Sequence, residues 1–123
     1  MAFHLGVIDA AKQAMGDLTA EEDVFAPLHR HLECDEAWIV LAGVLTVRMD
    51  DEEITVPAGE GVMVPRGVAH TYWNAEPTEA RYLLVMTDLT KRLIDAIHAS
   101  TDRSLDSLKA LFAAHGAELI EMY

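Results

Sequence analysis

Four side chains in this sequence have the types and the spacing of a metal-ligand set. His29, His31 and Glu36 stand as His29-x-His31-x4-Glu36, and Gly43 follows after six further residues. His70 stands inside Gly59-x5-Pro65-x-Gly67-x2-His70-x3-Asn74. Three imidazole nitrogens with one carboxylate oxygen form a borderline-hard donor set. Such a set suits a divalent transition metal (Fe, Mn, Ni, Co, Cu or Zn) and leaves coordination positions free for water or substrate.

For the four to meet, the backbone must bring them to one inner surface. The two-residue spacing places His29 and His31 on the same face of a strand. Glu36 has the wrong parity for an unbroken strand, so a turn or bulge within Glu33-Cys34-Asp35 must reset it. Glu36, Trp38 and Val40 then share one face of the next strand, and His70 shares a face with Tyr72. Gly43 falls between two strand runs, where positive φ or a close approach is expected. Pro65 and Gly67 predict a turn that sets the entry angle of the strand carrying His70.

From Glu36 to Thr87, apolar runs are broken by Gly, Pro and acidic pairs roughly every eight to twelve residues, the spacing of an antiparallel all-β sandwich or barrel. The expected strands are Ala37–Leu41, Val44–Met49, Glu53–Val56, Gly61–Val64, Ala69–Asn74 and Arg81–Met86. Asp50-Asp51-Glu52, Pro57-Ala58-Gly59 and Pro65-Arg66-Gly67 are the expected turns. After Asp88 the period becomes helical. Leu89, Leu93, Ile94 and Ile97 form one apolar stripe, and Leu105, Leu108, Leu111 and Phe112 form another. Ser104 or Asp102 can cap the second helix, and Gly116 suits its end. The two helices are expected to pack on the barrel or on a second subunit. Before His29 the text is weaker. Val7–Met15 reads as a short helix or a strand and turn, Asp17–Asp23 as a loop, and Phe25–Leu28 as extended because of Pro27.

The bulk composition narrows the function. The chain has 123 residues, of which 51% are hydrophobic, enough for one domain with a real core. Nine Lys and Arg face 21 Asp and Glu, a formal net charge of -12. That balance argues against nucleic acid as a partner and mildly against anionic substrates. A single cysteine, Cys34, excludes an intrachain disulfide and fits a reducing compartment. No stretch has the apolar length of a membrane span, and the first residues do not read as a secretory signal. The expectation is a cytoplasmic protein.

The two patterns together resemble the cupin superfamily, whose motifs are G-x5-H-x-H-x3,4-E-x6-G and G-x5-P-x-G-x2-H-x3-N. His29, His31, Glu36 and Gly43 match the first, where Asp23 stands in place of the leading glycine. Gly59, Pro65, Gly67, His70 and Asn74 match the second in full. The resemblance implies an all-β, antiparallel double-stranded β-helix (a jelly-roll barrel) over residues 17–88, with a helical tail over 89–123, as one domain. It implies a metal held by His29, His31, Glu36 and His70. The short span between the motifs resembles small single-domain cupins of the quercetin-dioxygenase-like, cupin_2 type. Small cupins of this kind also commonly form homodimers. The apolar N-terminal segment and the helical tail are the expected interface. The short N-terminus leaves the barrel open at one edge, or completed by residues 1–10 of a partner chain.

Three functions follow. The first is a metal-dependent dioxygenase acting on an enol, phenol or dicarbonyl substrate, with Glu36 as general base. The second is a non-redox isomerase, lyase or cyclase. The third is a small-molecule-binding module without turnover. Trp38, Tyr72, Tyr82 and Met86 are the candidate substrate-binding residues, with plain core as their alternative. Glu36 has the alternative of orienting a histidine from outside the metal's ligand set. Cys34 reads as a small loop residue before it reads as a ligand. Asn74 reads as a backbone anchor. His4, His98 and His115 read as ordinary structural or surface residues.

Overall fold

The computed structural model describes residues 1–8, 28–102 and 104–121. Among these residues the strands are β1 (Ala2–Ile8), β2 (Leu28–His31), β3 (Glu36–Ala42), β4 (Val44–Met49), β5 (Glu52–Pro57), β6 (Gly61–Val64), β7 (His70–Trp73), β8 (Ala80–Met86) and β9 (Ala117–Glu121). The helices α1 (Asp88–Ala99) and α2 (Leu105–Ala114) lie between β8 and β9. One sheet has the order β1-β8-β3-β6 and the other β5-β4-β7-β2-β9. Every pairing is antiparallel. The inner faces bury Trp38, Val40, Leu45, Val47, Val64 and Leu84 between the sheets. This is the expected jelly-roll barrel.

The strand ends follow turn chemistry. β4 and β5 join through Asp50 and Asp51, with Met49 opposite Glu52 and Asp50 at φ 52°. Aspartate tolerates that left-handed conformation because its short side chain can bond locally. Pro65 opens a turn closed by Val68 N–H donating to the Pro65 carbonyl at 3.2 Å. Gly67, the third residue of that turn, has φ 82°, the value a type II turn requires there. Gly43 has φ 73° between β3 and β4, and a Cβ at that position would run into the carbonyl of Glu79.

The helical tail has the predicted caps. The Ser104 hydroxyl accepts from Ser107 N–H at 3.3 Å. Asp102 supports it from outside, accepting from Ser104 N–H at 3.0 Å and from the Ser107 hydroxyl at 2.6 Å. Leu93 of α1 and Leu108 and Phe112 of α2 are buried with Ala117 and Leu119 of β9. Ile94 packs on the barrel core. The helices therefore spend their apolar stripes on the barrel of their own chain.

Two strands extend the sheets past the expected 17–88 span. β1 pairs with β8 of the same chain from Ala2↔Met86 to Ile8↔Ala80, so this edge is closed by the chain's own N-terminus and not by a partner's. Its pattern is hard to read because Phe3, Leu5 and Val7 face outward while His4 and Gly6 face in. β9 follows the helix-ending Gly116 and pairs with β2, so the tail ends as a strand of the barrel and not as a helix. It has the period-two alternation, with Ala117 and Leu119 buried, but is only five residues long. The expected loop at Asp17–Asp23, the extended Phe25–Pro27, the part of Val7–Met15 beyond Ile8, and Asp23 itself lie outside the described residues.

The Gly43→Val protein is expected to unfold with about 2–4 kcal/mol less stability, because left-handed strain and a backbone clash add at one residue. Urea titration followed by far-UV circular dichroism measures the difference. A loss within experimental error would show that the β3–β4 turn can relax.

Candidate metal centre

The centre is assembled by one cross-strand pairing. His29 on β2 lies directly opposite His70 on β7, with ring centroids 4.4 Å apart. His31 follows on the same face, 5.0 Å from the His29 ring and 5.5 Å from the His70 ring. All three histidines thus come from one sheet. Glu36 comes from the other. Residues 32–35 leave β2 and cross to β3, and this break resets the parity as the spacing requires. Glu36, Trp38 and Val40 all face the interior. His29, His31, Glu36 and His70 are buried, and one ligand atom from each lies within 4.8 Å of the others.

The turn before His70 ties the two motifs together. Gly67 N–H donates to the His31 carbonyl at 2.7 Å, and Arg66 N–H donates to Asp35 Oδ1 at 2.8 Å. The Val68 carbonyl lies 3.0 Å from His70 Nδ1. A carbonyl only accepts, so Nδ1 carries the proton and Nε2 presents its lone pair to the centre. This outer contact fixes both tautomer and ring orientation, as metal-ligating histidines require.

The donors fit a cation. His31 Nε2, His70 Nε2 and Glu36 Oε1 are buried with no hydrogen-bond partner. Glu36 Oε1 touches His31 Nε2 and lies 3.4 Å from His70 Nε2, so the lone pairs converge. Leaving such atoms buried and unsatisfied costs about 1–3 kcal/mol each. A divalent ion at their meeting point would satisfy them together. Burial pushes the Glu36 carboxyl up, but the imidazoles of His31 and His70 outweigh it and hold the group below the usual carboxylate range. Glu36 is therefore ionised at neutral pH, the form that binds a metal.

Above the donors is a cavity of about 70 Å³. His29, His31, Glu36 and Tyr72 form its floor, and Leu93, Ile94, Ile97 and Phe112 of the helices close over it. Phe112 stands edge-on to His29 at 5.3 Å. These helical residues are the part of the site that sequence reasoning missed. Their amphipathic period was visible, but nothing in it pointed to the metal cavity as the surface they cover.

Of the four candidate substrate residues, only Tyr72 lines this cavity. Trp38 packs behind it, 5.6 Å from the His70 ring and 5.4 Å from the Tyr72 ring. Tyr82 is buried and donates to the Tyr72 hydroxyl at 3.2 Å. Burial, Tyr82 and the Glu36 carboxylate push the Tyr72 phenol well above its ordinary value, so it is neutral. Met86 is in the barrel core and edges a different hollow. Cys34 lies outside the donor cluster, with Sγ 3.2 Å from the Thr90 hydroxyl of α1. Asn74 anchors backbone. It donates to the carbonyls of Ile8 and Thr78 at 3.1 and 2.8 Å and accepts from Glu76 N–H at 3.0 Å.

The fold is that of a cupin, and its donor set could hold a metal ion. A family model described as Cupin_2, cupin domain, matches residues 19–86. The chain belongs to the cupin domain family. It is 29% identical over 82 residues to Protein SchB of Streptomyces halstedii, covering 67% of this chain. The match spans 59% of that relative's length. Among solved structures, a cupin-2 domain containing protein from Shewanella frigidimarina superposes with a TM-score of 0.50 at 24% identity, covering 69% of this chain and 67% of that one. A cupin protein from Bacteroides fragilis superposes with a TM-score of 0.54 at 15% identity, covering 69% and 63%. These likenesses support the fold.

The purified protein is expected to bind one equivalent of a divalent transition metal, and His70→Ala to bind at least 100-fold more weakly. Trp38 gives an independent readout. In a Trp73→Phe background, Co²⁺ titration should quench its fluorescence, and His70→Ala should abolish the effect. Equal quenching in both proteins would place the ion elsewhere.

Proposed function

We propose that this chain is a metal-dependent enzyme, a dioxygenase acting on a small uncharged substrate with an enol, phenol or dicarbonyl oxygen. The observation that carries the reading is the closure of an apolar roof over four convergent donors. A redox-active divalent ion held by His29, His31, Glu36 and His70 would supply Lewis-acid activation of the substrate oxygen and a path for electrons to O2.

The chain's own groups supply the rest. Glu36 is the ionised base on the cavity wall, placed to take the proton of an enol or phenol. Tyr72 is neutral, and its hydroxyl proton is available to a substrate oxygen because its bond to Tyr82 is an accepted one. Leu84, Leu93, Ile94, Ile97 and Phe112 give the cavity an apolar wall. Among the described residues no lysine or arginine lines the cavity, which disfavours phosphorylated or carboxylate substrates. The cavity is about 70 Å³, smaller than the ~150 Å³ void that admits benzene, so an aromatic substrate enters with displacement of the helical roof. Among the described residues no helix is long and apolar enough to cross a membrane. The proposal places the protein in the cytoplasm, away from membranes and nucleic acid, a reading supported by the net charge of -12.

The test is oxygen uptake by the protein reconstituted in turn with Fe, Mn, Ni, Co, Cu and Zn, across flavonols and 1,3-dicarbonyls. Uptake is expected with at least one redox-active metal. Glu36→Gln should lower the rate about 10²–10⁴-fold, the usual range for loss of a general base. Turnover that continues without oxygen would assign the non-redox isomerase, lyase or cyclase chemistry instead. A ligand that binds and is recovered unchanged would assign a binding protein.

A further inference from the structure

A second hollow meets the metal centre from outside the barrel. Its volume is about 400 Å³, against about 70 Å³ for the cavity under the helices. Glu36 is in the wall of both spaces. Beside Glu36, two side chains in contact form the partition. Cys34 lines the outer hollow, and its Sγ lies 3.2 Å from the hydroxyl of Thr90, which lines the cavity. Both side chains are buried. Cys34 belongs to the crossing from β2 to β3, and Thr90 to the first turn of α1. A displacement of α1 that carries Thr90 away from Cys34 therefore joins the two spaces.

We propose that the two spaces form one substrate site, divided by Cys34 and Thr90 until α1 moves. The reactive oxygen binds at the donors, and the body of the substrate, an aromatic ring with an uncharged or cationic substituent, lies in the outer hollow. This rests on the metal-enzyme reading above and adds where the bulk of the substrate goes.

Volume is the first argument. A ring needs a void of ~150 Å³, about twice the inner cavity and well within the outer hollow. The outer volume also falls in the ~300–1,000 Å³ range of small-molecule sites. The lining is the second. Ala37, Val85, Met63 and Met86 give the hollow an apolar wall with two thioethers, and thioether sulfur makes favourable contacts with aromatic rings. Charge is the third. Arg66 is the cation of this wall, and Asp35 already holds it, with Oδ1 2.8 Å from the Arg66 backbone N–H and 3.8 Å from Nε. Glu33 adds a further carboxylate to the same wall. The balance is acidic, so a carboxylate on the ring is repelled and a cation is attracted.

Two diketones separate the spaces when bound to the Co²⁺-loaded protein, read from the visible absorption of the ion without turnover. Acetylacetone carries the chelating oxygens alone, and benzoylacetone adds one ring. The ring is expected to lower the dissociation constant about 10-fold or more, the effect of burying one apolar group of that size. Met63→Trp and Val85→Trp fill the outer hollow from its exposed side, where Met63 is 60% exposed. Each should cancel the gain and leave acetylacetone binding unchanged. A para-trimethylammonium group on the ring should bind more tightly than a para-carboxylate. Cys34→Ala thins the partition and should speed association of benzoylacetone but not of acetylacetone. Equal affinity of the two diketones would overturn the proposal. So would a gain that survives both tryptophan variants and grows in Ile97→Ala, because the ring would then lie under the helices. Failure of acetylacetone itself to change the spectrum would overturn the metal-enzyme reading and this site with it, whereas loss of the ring effect alone leaves that reading standing.

Discussion

The pairing of His29 with His70 across β2 and β7 is the contact on which the centre depends. It joins the two motifs at a single register position. A shift of one residue would turn His29 and His31 from the core face to the outside, since side chains alternate along a strand. The register is held from both sides. On one side, β9 pairs with β2 from Leu28 to His31. On the other, the Pro65–Val68 turn bonds to the His31 carbonyl and to Asp35. The glycine at the third position of that turn is thus part of the centre's geometry, although it touches no donor atom.

Glu36 has a different dependence. It belongs to the facing sheet, so its distance to the histidines is set by how closely the two sheets pack. The core beneath it, with Trp38, Val40, Leu84 and Val64 in the same cluster, determines that spacing. The carboxylate is ionised because two imidazoles face it, despite a burial that opposes charge. The unpartnered donors make the apo arrangement costly by itself. An ion held there would therefore stabilise the folded barrel, as linkage between binding and folding requires.

The helical tail turns a donor set into a chamber. Without α1 and α2 the histidines would open to water. With them, Phe112 stands over His29 and the aliphatic residues of α1 close the cavity. A partly enclosed apolar cavity strengthens electrostatic interactions inside it. β9 then returns to the sheet beside β2, so the element that roofs the centre is tied to the strand that carries two of its ligands.

The sequence by itself determined the donor types, the parity break before Glu36, six of the nine described strands to within a residue at each end, and both helices. Val44–Met49 and Gly61–Val64 were legible to the residue, because turn residues with special backbone demands bound them on both sides. Ser104 and Gly116 marked the second helix for the same reason. Such signals are local: a turn, a cap or a period is written in neighbouring residues. Tertiary structure alone decided which sheet carries Glu36, which surface the helices cover, and that β1 and β9 close the barrel's ends. β1 was opaque because its apolar residues face outward, the reverse of the usual pattern. The tail was opaque because burial of apolar area is non-directional. A stripe of leucines records that it will be covered, and only the packed chain determines by what.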